Sequence, residues 1–65
     1  MDFTHHYTHL PADPVMLMSF INTKLRDEFP SLDELCSTMG IDRRELEQTL
    51  ARAGYEYSAE HNKFW

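Results

Sequence analysis

Between residues 13 and 28 apolar side chains recur every three or four positions, at Leu17, Met18, Ile21 and Leu25, with Glu28 next in the row. That spacing places them on one face of a helix. Asp13 suits an N-cap and Pro14 the first helical position, where a missing N–H does no harm. The helix is predicted to end near Glu28, because a proline at position 30 pushes Phe29 out of helical geometry. Lys24 and Arg26 fall near its C-terminal end, where cations complement the helix dipole. Val15, Met16 and Phe20 extend the apolar character beyond one face. A helix apolar over so much of its circumference is either central or shared with a second subunit. In so small a domain partial exposure follows, and these three residues are the expected contact of a homodimer.

A second pattern covers residues 31 to 54. Ser31 with Glu34 three residues on makes a capping box, and Leu32, Leu35, Cys36 and Met39 form the inward face of a short helix. Gly40 supplies the left-handed residue that ends it. Asp42 with Glu45 repeats the box for a third helix, and Ile41 and Leu46 are spaced as a hydrophobic staple. Leu46, Thr49, Leu50 and Ala53 are predicted to face inward, and Gly54 to end the helix. Two short helices around a tight turn at Met39-Gly40-Ile41 outline a helix-turn-helix.

Beyond Gly54 the pattern changes period. Tyr55-Glu56-Tyr57-Ser58 alternates as a half-buried strand does, residues 59–62 are turn-like, and Lys63-Phe64-Trp65 can return as a second strand. Such a hairpin must pack its aromatics on the helices to persist. The expected fold is mainly α, a small α+β arrangement. Residues 13–65 form a three-helix helix-turn-helix domain with a short C-terminal β-hairpin, in the order of a reduced winged helix. Residues 1–12 have no period and read as a flexible arm, with a short docking segment at Phe3 or Tyr7.

Composition narrows the function. Sixty-five residues allow one domain, which buries only roughly 60% of its unfolded surface. A single cysteine excludes an internal disulfide framework and suggests a reducing compartment. The longest apolar run is far below a membrane span, and MDFTHHYTHLP lacks the basic and apolar regions of a signal peptide, so a cytoplasmic location is expected. The net charge of −5 opposes simple phosphate-driven binding, which depends on Lys and Arg displacing counterions.

LPADPVMLMSFINTKLRDEF, SLDELC and GYEYSAEHNKFW resemble domain-of-unknown-function family 4250, small bacterial proteins of about this length. The likeness covers roughly residues 10–65 and is most telling at Ser19-Phe20-Ile21-Asn22, Asn22-Thr23-Lys24-Leu25-Arg26-Asp27 and Tyr55-Glu56-Tyr57. The resemblance implies a bacterial, cytoplasmic, single-domain protein, and brings no activity, cofactor or site residue with it.

The third helix is the natural recognition element. Arg43, Arg44, Glu47, Gln48 and Ala51 should line its outer side, and Arg and Gln can read guanine and adenine edges. Arg43 and Arg44 also sit in the first turn, where the dipole disfavours cations, which hints at an anionic partner. A competing reading pairs Arg43 with Glu47 at i, i+4 on a solvated face. The hairpin tip, where Lys63 would add a phosphate contact, is close to neutral with Glu60, His61 and Asn62 beside it.

Asn22 is a poor helix former in mid-helix, so it either anchors backbone elsewhere or joins Lys24 and Arg26 in a binding surface. His5, His6 and His9, with His61, suggest metal ligands, but the arm lacks a helix to align them and Cys36 points into the core, so no metal site is expected. No nucleophile has an evident base and orienting partner, and neither catalysis nor a cofactor is expected. Tyr55, Tyr57, Phe64 and Trp65 could stack on bases, or close a small core. Two functions stay open. The helix order points to DNA binding in transcriptional regulation, as a dimer, through Arg43, Arg44, Gln48 and Lys63. The apolar excess of the first helix and the acidic helix faces point to a protein-interaction module.

Overall fold

Asp13 accepts the amides of Val15 and Met16 at 2.8 and 3.2 Å and so opens the first helix, α1, Pro14–Asp27. The computed structural model describes residues 10–65. The arm readings at Phe3, Tyr7, His5, His6 and His9 lie outside the described residues. Leu17, Ile21 and Leu25 are the buried row of α1, and Met18 and Phe20 pack against them half-covered. Glu28, read as the next member of that row, is instead the exposed C-cap. One turn beyond Leu25 the chain already leaves the helix, and the Glu28 carboxylate pairs with Lys24 in solvent at 2.7 Å.

Ser31 caps α2, Leu32–Met39, by accepting the Glu34 amide, and Asp42 caps α3, Arg43–Ala51, by accepting the Glu45 amide, both at 3.2 Å. These are the forward halves of the two capping boxes. Between them Gly40 takes φ +70, which lets the Ile41 amide turn back onto the Cys36 carbonyl at 3.0 Å. This left-handed closure is what sets α3 against α2.

The end of α3 departs from the expected pattern. The helix stops at Ala51 with Arg52 as C-cap, and Ala53 is exposed rather than inward. The last turn tightens: Ala53 and Gly54 donate to the carbonyls three residues back, at 3.1 and 2.9 Å. Tightening rotates Ala53 off the inward face, and Gly54 at φ +91 then lets Tyr55 reach the Leu50 carbonyl at 3.0 Å.

Two short strands follow, β1 at Tyr57–Ser58 and β2 at Lys63–Phe64, antiparallel with Tyr57 opposite Phe64 and Ser58 opposite Lys63. Glu56 and Trp65 extend the ladder by exchanging both backbone bonds at 3.1 Å. Phe64 is 1% exposed and closes the core built from Leu17, Ile21, Leu25, Leu32, Leu35, Cys36, Met39, Leu46 and Leu50. Three helices and a C-terminal two-stranded hairpin therefore share one core, with the hairpin laid along α1. Leu10, placed in the arm by its lack of period, packs against this core beside Leu17, Ile41 and Leu46.

Candidate interaction surfaces

The hairpin lacks the length to hold itself, and two asparagines hold it in place. The Asn22 amide donates to the Phe64 carbonyl at 2.9 Å and accepts the Phe64 N–H at 2.8 Å. One side chain thereby satisfies both backbone groups of a buried residue, as a neighbouring strand would. The Asn62 amide donates to the carbonyls of Leu25 and Phe29 at 3.2 and 3.0 Å, tying the turn to the end of α1. Its oxygen accepts the Tyr57 hydroxyl at 2.7 Å, and that hydroxyl in turn accepts the Leu32 amide at 3.2 Å. Sequence reasoning singled out Asn22 but missed Asn62 and the Tyr57 hydroxyl. The one available signal was Asn62 in a turn, since asparagine tolerates the positive φ of 52 that it adopts here.

With Tyr57 fixed, its ring becomes the floor beneath Arg43. The guanidinium carbon stands 5.5 Å from the ring centre, Nε donates to Glu47 at 2.7 Å and Nη1 donates to Asp33 of α2. Hydrogen bonds to Glu47 and then Asp33 raise the Arg43 pKa further above its ordinary value. The i, i+4 pairing with Glu47 is thus present. The Asp33 partner, across the helix–helix contact, was not read from the sequence. Arg43 is one wall of a groove of about 300 Å³ between α3 and β1, shared with Glu47, Ala51, Tyr55, Glu56, Tyr57 and Phe64.

The other residues suggested for nucleic acid are dispersed. Arg44 and Gln48 are exposed on α3. Lys63 lies on the opposite side of the hairpin, beside α1, in a cleft with Asn22, Thr23, Arg26, His61 and Asn62. Its ammonium stands 4.9 Å from the Trp65 ring centre, and the His61 ring lies 4.3 Å from that same ring, centre to centre. Arg26 is already paired with Asp27 at 2.8 Å, a bond that lowers the Asp27 pKa.

The residues suggested for a subunit contact separate by helical position. Val15 and Met16 are 54% and 62% exposed, whereas Phe20 is half-buried with Lys24 over its ring at 5.7 Å. Leu17 of α1 also lines a shallow groove of about 180 Å³, with apolar walls at Leu10, Leu17, Ile41 and Leu46 and an acidic rim at Asp42 and Glu45. Among the described residues no cluster of three or more His, Cys, Asp or Glu is placed to hold a metal. Cys36 is buried, and burial pushes its thiol pKa up. Among the described residues no helix is long and apolar enough to cross a membrane.

The sequence model of the family described as Domain of unknown function (DUF4250) matches residues 11–64, and the chain belongs to that family. No curated protein and no solved structure matches it.

Proposed function

We propose that this member of the DUF4250 family is a non-catalytic binding module of the bacterial cytoplasm that works through protein contacts rather than by reading DNA. The observation that carries this reading is the engagement of Arg43. A helix that reads DNA needs its cations free for phosphate or guanine. Arg43, the first of the two cations at the start of α3, is bound to two carboxylates of its own chain and lies against Tyr57. Lys63 is on the far side of the hairpin from α3, so Arg44 and Gln48 stand without it. The acidic net charge favours the same reading. The exposed pair Val15–Met16, together with the apolar groove with an acidic rim that Leu17 of the same helix lines, is the first surface that such a module would use, for a second protein or a second copy.

Two measurements test this. Fluorescence anisotropy with a mixed-sequence duplex at low salt should show no saturable binding, because binding through phosphates would be strongest there. A photo-crosslinking residue placed at Met16 should give discrete adducts in cells of the source organism, while one placed at Glu60 should not. Salt-sensitive duplex binding that R44A abolishes would overturn the protein-contact reading in favour of DNA.

A further inference from the structure

The hairpin has two edges, and among the described residues only one of them is closed, by α1. In an antiparallel ladder, opposed residues alternate between pairs that exchange both backbone bonds and pairs that exchange none. Glu56 and Trp65 exchange both, so the next pair in register, Tyr57 and Phe64, turn their N–H and C=O groups outward from the ladder. On the Phe64 side those groups meet the Asn22 amide. On the Tyr57 side they point out of the edge of β1 that borders the groove beside α3. An open strand edge is a template for another strand, and extended peptides are recognised at such edges by backbone bonds, with flanking pockets reading alternate side chains. At about 300 Å³ the groove falls at the small end of ligand-sized clefts, roughly 300–1,000 Å³.

The charges say which strand fits. Glu47 and Glu56 line the groove and Asp33 stands beside it, while Arg43, the cation among the lining residues, is held by Glu47 and Asp33. The groove therefore keeps an excess of carboxylate, and Tyr55 adds an aromatic ring to its lining, against which a cationic side chain can lie. A second copy of the chain fits poorly, because edge-to-edge pairing would bring two sets of these acids together.

We propose that the open edge of β1 takes up an extended, basic segment of a partner protein as a third strand. The Tyr57 N–H donates to, and its C=O accepts from, one residue of that segment, whose Lys or Arg side chains lie in the groove against Glu47 and Glu56. This rests on the protein-contact reading and adds to it a second surface and the chemistry of its partner.

The probe is a capped heptapeptide of alternating Lys and Val, titrated into the full chain and followed by amide NMR. Three controls accompany it: the same peptide with Glu for Lys, a version N-methylated at its central residues, and the variant A51F. Ala51 is exposed and lines the groove, so the phenylalanine fills the groove without entering the core. Expected are saturable shifts centred on Tyr57, slower hydrogen exchange at its amide, and binding at least about tenfold weaker for each control. Undiminished binding of the N-methylated peptide would overturn the proposal, as would shifts centred on Lys63 and Arg26 or the absence of any binding. Concentration-dependent protection of the Tyr57 amide without peptide would overturn it in favour of self-pairing. Crosslinking from Met16 does not involve the groove, so if it persists while the peptide fails, the strand proposal alone is lost. Salt-sensitive duplex binding would remove both.

Discussion

Replacing Asn22 by alanine should remove more stability than any comparable change on the partly covered faces of this domain. The substitution deletes two hydrogen bonds at once, to the Phe64 carbonyl at 2.9 Å and from the Phe64 N–H at 2.8 Å. Phe64 is 1% exposed, so both groups are left with little access to water. A buried backbone group without a partner costs about 1–3 kcal/mol. Alanine returns about 0.6 kcal/mol through its better helix propensity. The net loss for the two groups together is then about 1.4–5.4 kcal/mol, against a total that for a chain this size is on the order of 3–10 kcal/mol. In urea, with a slope of about 1 kcal/mol/M, the midpoint of N22A should fall by about 1.4 M or more while the slope stays the same. Hydrogen exchange should show the loss first at Glu56 and Trp65, and later at Leu35 and Leu50.

N22D separates the two bonds. A carboxylate can still accept the Phe64 N–H, but it faces the Phe64 carbonyl with no proton to donate. At neutral pH the variant should be at least as unstable as N22A. Repulsion from the carbonyl raises the folded-state pKa of the new carboxyl above the ordinary aspartate value of about 3.9. Its protonated form donates to the carbonyl, so the deficit relative to the parent should be smallest at and below the unfolded-state value. It should grow as pH rises through the raised folded-state value. A change in N22A of less than about 0.5 kcal/mol, within the range of ordinary surface substitutions, would refute the reasoning. So would N22D matching the parent at neutral pH.

Gly40 at φ +70 has no atom near the position of an added Cβ, so G40A should cost only backbone strain, about 1–2 kcal/mol, and G40N less, as read by thermal melts. Cys36 is buried with its thiol pKa raised, so its labelling by a disulfide reagent at neutral pH should wait for opening of the domain and accelerate in proportion to unfolding as urea is added. Asn62 combines a positive φ with bonds to Leu25, Phe29 and Tyr57. N62G retains the backbone freedom and loses the bonds, while N62A loses both, so by urea unfolding N62A should be the less stable by about 1 kcal/mol.

What could be read from the sequence was local. Asp13, Ser31 and Asp42 each cap the helix that their position announced, because an N-cap contact spans only two or three residues. The buried rows of α1, α2 and α3 follow from helical spacing in the same way. Ala53 was misplaced because a tightened last turn has a different period from the helix before it. The anchoring of the hairpin depends on contacts 42 and 37 residues apart, from Asn22 to Phe64 and from Asn62 to Leu25. A polar residue in mid-helix signals that a partner exists, and says nothing of which. At Arg43 the division is sharp. Glu47 lies one turn away on the same helix and could be named, whereas Asp33 comes within reach only through the packing of α2 on α3.

These long-range contacts form one chain of dependence that runs from the anchor of the hairpin to its open edge. Asn62 orients the Tyr57 hydroxyl, which also receives the Leu32 amide, so the ring is held at its tip by the turn and by the start of α2. The fixed ring supports Arg43, and Arg43 gathers Glu47 and Asp33 along the wall of the groove. The same residue, Tyr57, turns its backbone groups out of the strand edge beside that wall. Asn22 meanwhile occupies the other edge, so among the described residues one direction of strand growth is left. Asparagine at 22 and 62 therefore acts in two ways: one amide closes an edge, and the other sets the geometry of the edge that stays open. Loosening Asn62 should disturb the Arg43 groove before it disturbs the core, because Tyr57 is half-exposed at the rim while Phe64 beside it is sealed within.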